Sequence, residues 1–358
     1  MNRYQKWFIT ALIISAISII LVTGLTFNSE TIEAMKTIRL EYILAAALSH
    51  IILYFIWGFR IQALCKALGY KVSAMKLTEI VTSSTFVAGI TPACAGGDLL
   101  RMHLLNKNGI PLGRATAIIV GERLLDAFFI FSCLPFALYI LRDMHLSYKF
   151  DAAFAIATFI VFAFLCFFIY GILKPEKVKH IIHRIAGKLA PFIGKRTDYA
   201  LFRLTEQINR EIDHFHESVR IFYSEGRIGV FWGMFYTLLF WIVDFSLLVF
   251  ILMGLSQKAQ ILPVFAAQVL LTVILLVPAT PGASGVAELG AASIFLLFVS
   301  SSVLGITVLA WRVLTYHLNL LLGGIMSLKI LRDMDLIKKL TGNSTEFQQD
   351  SETIFKSG

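Results

Sequence analysis

Eight charged residues stand in stretches that are otherwise apolar enough to lie in a membrane: Asp98, Arg101, Glu122, Arg123, Asp126, Asp244, Glu288 and Arg312. Each arginine offers a planar guanidinium fork, the side chain best shaped to hold two phosphate oxygens at once. The carboxylates can neutralise those arginines or exchange protons. A charge at the centre of a spanning helix costs about 2.5–3.5 kcal/mol on insertion scales. Eight unpaired charges would cost on the order of 20 kcal/mol, beyond the stability of a typical domain. They must therefore pair, protonate or face water. Arg123 precedes Asp126 by three residues, which makes a local pair available, and Glu122 shares that helix side with Asp126. Arg312 has no acid close in sequence, so Glu288 or Asp244 is its expected partner. Five acids against three arginines leave −2 when all are ionised, which a dry, closed site does not hold. Asp244 or Glu288 is accordingly expected to exchange protons during a working cycle.

The charges fall on or near two interruptions of the apolar pattern. The first reads Thr91-Pro92-Ala93-Cys94-Ala95-Gly96-Gly97-Asp98 and the second Thr280-Pro281-Gly282-Ala283-Ser284-Gly285. Proline and paired glycine break the helical ladder, so each interruption predicts two half-helices around an unwound turn, about 77–90 with 99–110 and 261–279 with 286–302. Unbroken apolar runs lie at about 7–27, 41–64, 112–142, 151–173, 228–254 and 305–329, each near the roughly 20 residues a spanning helix needs. No small-residue cleavage site follows Phe27-Asn28, so the first run reads as a span and not a signal peptide. His50, Tyr54 and Trp57 share one face of the second run and could line a cavity, but an interfacial aromatic belt is the favoured reading.

Composition agrees with a chain whose solvent is largely lipid. Apolar residues make up 57% and charged residues 15%, and phenylalanine alone supplies 30 of the 358 positions; mean hydropathy is +0.76. Soluble, disordered, collagen-like and disulfide-scaffold classes are excluded. The net charge of +9 sits unevenly: segments 1–6, 59–115, 174–227 and 329–358 hold 25 of the 32 Lys and Arg, and 28–41, 142–151 and 256–260 hold five. With both interruptions taken as re-entrant, the positive-inside rule makes both termini cytoplasmic in a multi-pass protein of the cell membrane. A nucleic-acid partner becomes unnecessary. Residues 174–227 read as amphipathic helices on an anionic leaflet, or as a hairpin packed on itself. The histidines there (His180, His183, His214, His216) lack a spaced third ligand, and the cysteines (Cys65, Cys94, Cys133, Cys166) lack metal spacing, so neither metal nor cofactor is expected. Residues 331–358 form a polar cytoplasmic tail.

Offsetting the chain by 189 residues places Thr280 on Thr91, Pro281 on Pro92, Gly285 on Gly96 and Arg312 on Arg123. Three predicted spans separate the interruptions, so the second copy is inverted. The organisation is thus a first membrane half (1–173, hairpin about 77–110), the 174–227 segment and a second half (228–330, hairpin about 261–302). The expected fold is an all-α integral membrane protein with about six full spans and two re-entrant hairpins in an inverted repeat. Such hairpins bring half-helix ends to the membrane midplane, where they can meet a polar group.

The run Thr91-Pro92 … Gly96-Gly97-Asp98 … Arg101, followed by Gly121-Glu122-Arg123-Leu124-Leu125-Asp126, resembles the first signature of the flippase-like membrane domain. That domain is best known as the transmembrane region of lysylphosphatidylglycerol synthases. Pro278-Ala279-Thr280-Pro281-Gly282-Ala283-Ser284-Gly285-Val286-Ala287-Glu288 is similar to its second signature, and the resemblance spans roughly residues 5–335. In the bifunctional synthases the domain flips an aminoacylated phospholipid that a separate soluble domain makes. With only 28 residues after position 330, the resemblance implies a stand-alone module that moves an anionic phospholipid or polyprenyl lipid phosphate, with no aminoacyl transfer. The two loops, with Arg101, Arg123 and Arg312, would bind the headgroup. The alternative is a membrane-embedded phosphatase or headgroup transferase using Asp98, His103 and Glu122 as acid–base groups. A partner-binding role for 174–227 and a homo-oligomer are also open at this point.

Overall fold

The computed structural model describes residues 29–91, 95–141, 213–218, 220–222, 224–276, 280 and 282–330, with isolated positions elsewhere. The runs expected at 7–27 and 151–173, most of 174–227, the 331–358 tail, Pro92 and Pro281 lie outside the described residues. In chain order the helices are α1 (Ser29–Lys36), α2 (Leu40–Ala67), α3 (Ala74–Ile90), α4 (Ala95–Lys107), α5 (Leu112–Leu141), α6 (Arg227–Gly254), α7 (Ile261–Leu275), α8 (Val286–Phe295) and α9 (Ser301–Arg312). Through a π turn at Val313–His317, α9 continues to Ile330. The described residues are thus all-helical.

Four of these helices, α2, α5, α6 and the extended α9, are long and apolar enough to cross a membrane. Outside a few polar and charged positions they are apolar around most of their circumference, as expected of helices surrounded by lipid and by one another. Leu44, Phe136, Tyr139 and Phe231 accordingly stay exposed. The buried side chains form two cores. One joins α5 through α9 around Leu134, Phe245, Leu270, Phe295 and Trp311; the other joins α2 to α5 around Leu64, Leu77, Leu105 and Ile118.

Between the long helices lie two short hairpins, and small residues explain how tightly they close. In the first, α3 and α4 run antiparallel. A Cβ on Gly97 of α4 would lie 2.8 Å from the Ser84 carbonyl of α3, so only glycine fits there. In the second, Gly290 of α8 lies against Leu271 and Ile274 of α7. The α6 helix runs antiparallel to α2: Gly229 meets Ala63 and Ala67, and the Arg39 N–H donates to the Gly254 carbonyl at 2.8 Å. The α3 helix begins beside the end of α2, where Gly58 touches Ala74 and Thr78. The α7 helix follows from the end of α6, beside the start of α2. The hairpins therefore leave from opposite ends of α2.

The half-helices come close to the expected ranges, but α4 starts at Ala95, so Gly96, Gly97 and Asp98 are helical and not part of an unwound turn. The α4 helix ends at Lys107, α7 at Leu275 and α8 at Phe295, short of the expected ends. The last long helix starts at Ser301, four residues before the apolar run suggested, because Ser301 and Ser302 extend it where composition alone reads polar. The π turn was not expected; such an extra residue in one turn is common next to functional side chains.

Candidate functional site

Six charges from α2, α4 and α5 close into one network. Glu122 of α5 is fully buried. Its Oε1 accepts from Trp57 Nε1 at 2.7 Å, Arg60 Nη2 at 2.6 Å and Arg101 Nη1 at 3.0 Å, and its Oε2 accepts from Arg101 Nη1 at 2.9 Å. Arg60 also donates through Nη1 to Asp126 Oδ1 at 2.7 Å, where Trp241 Nε1 joins at 2.9 Å. Arg101 reaches Asp98 as well, one turn back on α4. Arg123 donates to both Asp98 oxygens, at 3.1 and 2.7 Å. Three arginines face three carboxylates, so the ionised network is neutral, as burial requires. The local Arg123–Asp126 pair exists only at 3.8 Å; Asp98, on the neighbouring helix, is the closer partner. Arg101 further lies 4.9 Å over the Trp57 ring and Arg60 lies 5.0 Å over Phe240, contacts that suit a desolvated guanidinium.

Only one guanidinium of the three opens outward. Arg60 and Arg101 are each 1% exposed, whereas Arg123 is 48% exposed. It can therefore exchange part of its Asp98 contact for another anion without uncovering the core.

The second hairpin carries a corresponding brace. Arg312 Nε donates to Glu288 Oε1 at 2.8 Å, and its Nη2 donates to the Gly282 carbonyl at 2.8 Å and Ser284 Oγ at 3.2 Å. The other oxygen of Glu288 accepts the Gly285 N–H at 2.6 Å, capping α8. The two halves thus repeat one device: an acid in the first turn of the second half-helix holds an arginine of the following long helix. Asp98 serves Arg123, and Glu288 serves Arg312. The two threonines of the breaks likewise stitch their own turns. Thr91 Oγ1 accepts the Gly96 N–H at 3.1 Å, and Thr280 Oγ1 donates to the Ser284 carbonyl at 2.6 Å.

The breaks touch. The Tyr316 hydroxyl, in the π turn, donates to the Gly89 carbonyl at 3.3 Å, while its ring lies 4.1 Å beneath the Arg312 guanidinium. Gly282 has φ +59, and a Cβ there would lie 2.7 Å from the same Gly89 carbonyl and 2.4 Å from the Tyr316 ring. The end of α3 and the second turn therefore meet in backbone contact.

Between the two braces runs a polar stripe on α2. His50 Nε2 contacts Asn319 Oδ1 at 2.8 Å, and Tyr54 donates to the same oxygen. His50 and Tyr54 are buried and Trp57 is half-buried. The reading of these three as an interfacial belt is therefore corrected. Their polar tips are held by Asn319 and Glu122, which lie far from them in sequence and give no local sign.

Arg60 is the main residue that sequence reasoning missed. It was grouped with loop charges, yet it lies seven residues inside α2 with Ile61, Leu64 and Cys65 buried beyond it. That apolar continuation was the available signal. Counting it changes the charge of the set from −2 to −1, and Asp244 is the acid left over. Among the described residues Asp244 has no ion pair or hydrogen bond. Glu288, by contrast, is buried with both oxygens engaged. His103 is exposed and Glu122 is saturated with donors, so the structure does not assemble an acid–base set from them. Among the described residues no group of three His, Cys, Asp or Glu side chains could hold a metal ion.

The sequence pattern of the lysylphosphatidylglycerol synthase TM region matches residues 8–323. A UPF0104 membrane protein of Archaeoglobus fulgidus is 30% identical over 310 residues, covering 86% of this chain and 93% of that protein. A UPF0104 membrane protein of Methanocaldococcus jannaschii is 26% identical, covering 90% of this chain and 95% of that protein. A third, from Methanothermobacter thermautotrophicus, is 22% identical and covers 77% of this chain and 80% of that protein. The paired breaks, the apolar helices and these matches make the chain a multi-pass membrane protein that belongs to the lysylphosphatidylglycerol synthase TM region family.

Proposed function

We propose that the chain translocates a lipid with an anionic headgroup, a phospholipid or an isoprenoid lipid phosphate, across the cell membrane. The headgroup passes a mid-depth site between two re-entrant hairpins of an inverted repeat, and the lipid chains stay in the bilayer. Both termini lie on the cytoplasmic side, as the lysine and arginine distribution favours. The observation that carries this reading is the repeated acid–arginine brace, Asp98–Arg123 and Glu288–Arg312, on hairpins whose tips meet at Gly89 and Gly282. Unwound backbone inside a bilayer is tolerated where it lines a cavity or is buried in protein. A headgroup that loses water needs fixed donors to compensate it.

The roles divide by exposure. Arg123 receives the headgroup, trading its Asp98 contact for phosphate oxygens. Asp98 keeps it paired when no lipid is bound. Arg60, Arg101, Glu122 and Asp126 hold Arg123 in place. Arg312 and Glu288 fix the second turn, and Thr91, Gly96, Gly97, Thr280, Gly282 and Gly285 shape the two breaks. Asp244, the one acid of the set with no partner among the described residues, takes up the coupling proton.

The test is reconstitution of the purified chain into liposomes with a fluorescent lipid whose outer-leaflet label is bleached chemically. Faster loss of protected phosphatidylglycerol than of phosphatidylcholine, relative to protein-free liposomes, supports the reading. Equal rates for both lipids, or rates equal to protein-free liposomes for every anionic lipid tried, refute it.

A further inference from the structure

A groove of about 380 Å³ opens on the outside of the bundle where α2 ends and α6 begins. It lies away from both braces and shares none of their residues. Its floor is backbone: Gly226 and Gly229 press against Ala63 and Ala67. Its wall is aromatic. Phe59 stacks on Tyr236 with centroids 5.9 Å apart, and Trp232 leans on Tyr236 at 6.1 Å. At its mouth stand Lys66, in the last turn of α2, and Glu225, in the turn before α6. Both are exposed, and neither side chain has an ion pair or hydrogen bond among the described residues. Gln62 lines the same mouth and spends its amide N–H on the Val72 carbonyl at 2.9 Å.

Two long apolar helices end together here, so the mouth sits at the boundary between hydrocarbon and water and the aromatic wall sits below it. Tryptophan and tyrosine favour that depth. One cation and one anion line the same groove without an ion pair among the described residues, which matches a ligand carrying both charges. The aromatic faces match an ammonium group and the first methylenes of an acyl chain. We propose that this groove is a binding site for a zwitterionic phospholipid of the phosphatidylethanolamine type. Lys66 holds its phosphate, Glu225 its ammonium, and an acyl chain lies along Phe59, Trp232 and Tyr236. A volume of this size accommodates a headgroup with its glycerol. The site is independent of the transport reading: it would anchor a resident lipid whether or not the protein moves another.

Native mass spectrometry of the full chain in detergent tests it, with dioleoyl phosphatidylethanolamine, dioleoyl phosphatidylglycerol and free phosphoethanolamine as probes. The wild type should retain phosphatidylethanolamine about fivefold better than phosphatidylglycerol, the scale of a partly exposed ion pair. Lys66→Gln should lower retention of both lipids. Glu225→Gln should lower phosphatidylethanolamine alone, to the phosphatidylglycerol level, and Trp232→Leu should shorten retention of both with unchanged circular dichroism. Free phosphoethanolamine should not displace the lipid. Wild-type retention of phosphatidylethanolamine by Glu225→Gln, equal retention of the two lipids by the wild type, or displacement by the free headgroup would overturn the assignment. Flipping is not read in this experiment, so its outcome and that of the transport test are separate.

Discussion

At the scale of single residues, the arginines divide into buried struts and one exposed contact, and their substitutions should separate accordingly. Arg60→Ala leaves Glu122 and Asp126 short of a partner in a buried network, which typically costs about 3–5 kcal/mol. Thermal or denaturant unfolding of the purified protein should show that loss directly. Arg123→Ala removes a half-exposed pair and should cost less than about 1 kcal/mol. Asp244→Asn removes the leftover acid. If Asp244 carries the coupling proton, transport by this variant should no longer respond to an imposed pH gradient. A response equal to wild type would assign coupling elsewhere. Residue types announced that chemistry would occur, because charges in apolar stretches are costly wherever they fall. They did not announce who pairs with whom. Arg60 finds Glu122 and Asp126, and Trp57 finds Glu122, across more than 60 positions of chain. Only the folded bundle makes those neighbours. Glu288 as the partner of Arg312 was within reach of the sequence because so few intramembrane acids were available.

At the scale of elements, apolar length and helix breakers made most of the described architecture legible. The runs at 41–64, 112–142 and 228–254 match α2, α5 and α6 to within a few residues. The proline–glycine interruptions mark the joints between α3 and α4, where Gly96, Gly97 and Asp98 already belong to α4, and between α7 and α8. The π turn after Arg312 left no such mark, since Val313–His317 contains neither proline nor glycine. Tyr316 there reaches Gly89, and Gly282 packs closely against both the Tyr316 ring and the Gly89 carbonyl. Gly282→Ala should therefore lose at least about 1–2 kcal/mol from the left-handed backbone alone, with the clash against the Gly89 carbonyl added. Side-chain repacking cannot relieve a backbone clash, so Tyr316→Ala should not rescue it. Recovery of wild-type stability in the double variant would show that the ring, and not the backbone contact, limits this position.

At the scale of the whole molecule, the hairpins leave from opposite ends of α2, and in the orientation proposed above those ends face opposite sides of the membrane. Single cysteines at exposed Lys71 and Lys258, introduced into a chain freed of its native cysteines, test that assignment. A membrane-impermeant maleimide added to intact cells should label position 258 and leave position 71 unlabelled until the membrane is opened. Labelling of both from outside, or of position 71 alone, would reverse or remove the proposed orientation. The proposed transport role then rests on one guanidinium, Arg123, the exposed member of the first half's network. The most direct measurement is the rate of phosphatidylglycerol translocation by Arg123→Ala in liposomes, read beside its melting temperature. Loss of a charge-assisted hydrogen bond worth about 1.5–3 kcal/mol predicts a rate lower by about 10- to 100-fold with melting nearly unchanged. A wild-type rate from a normally folded Arg123→Ala protein would contradict the account.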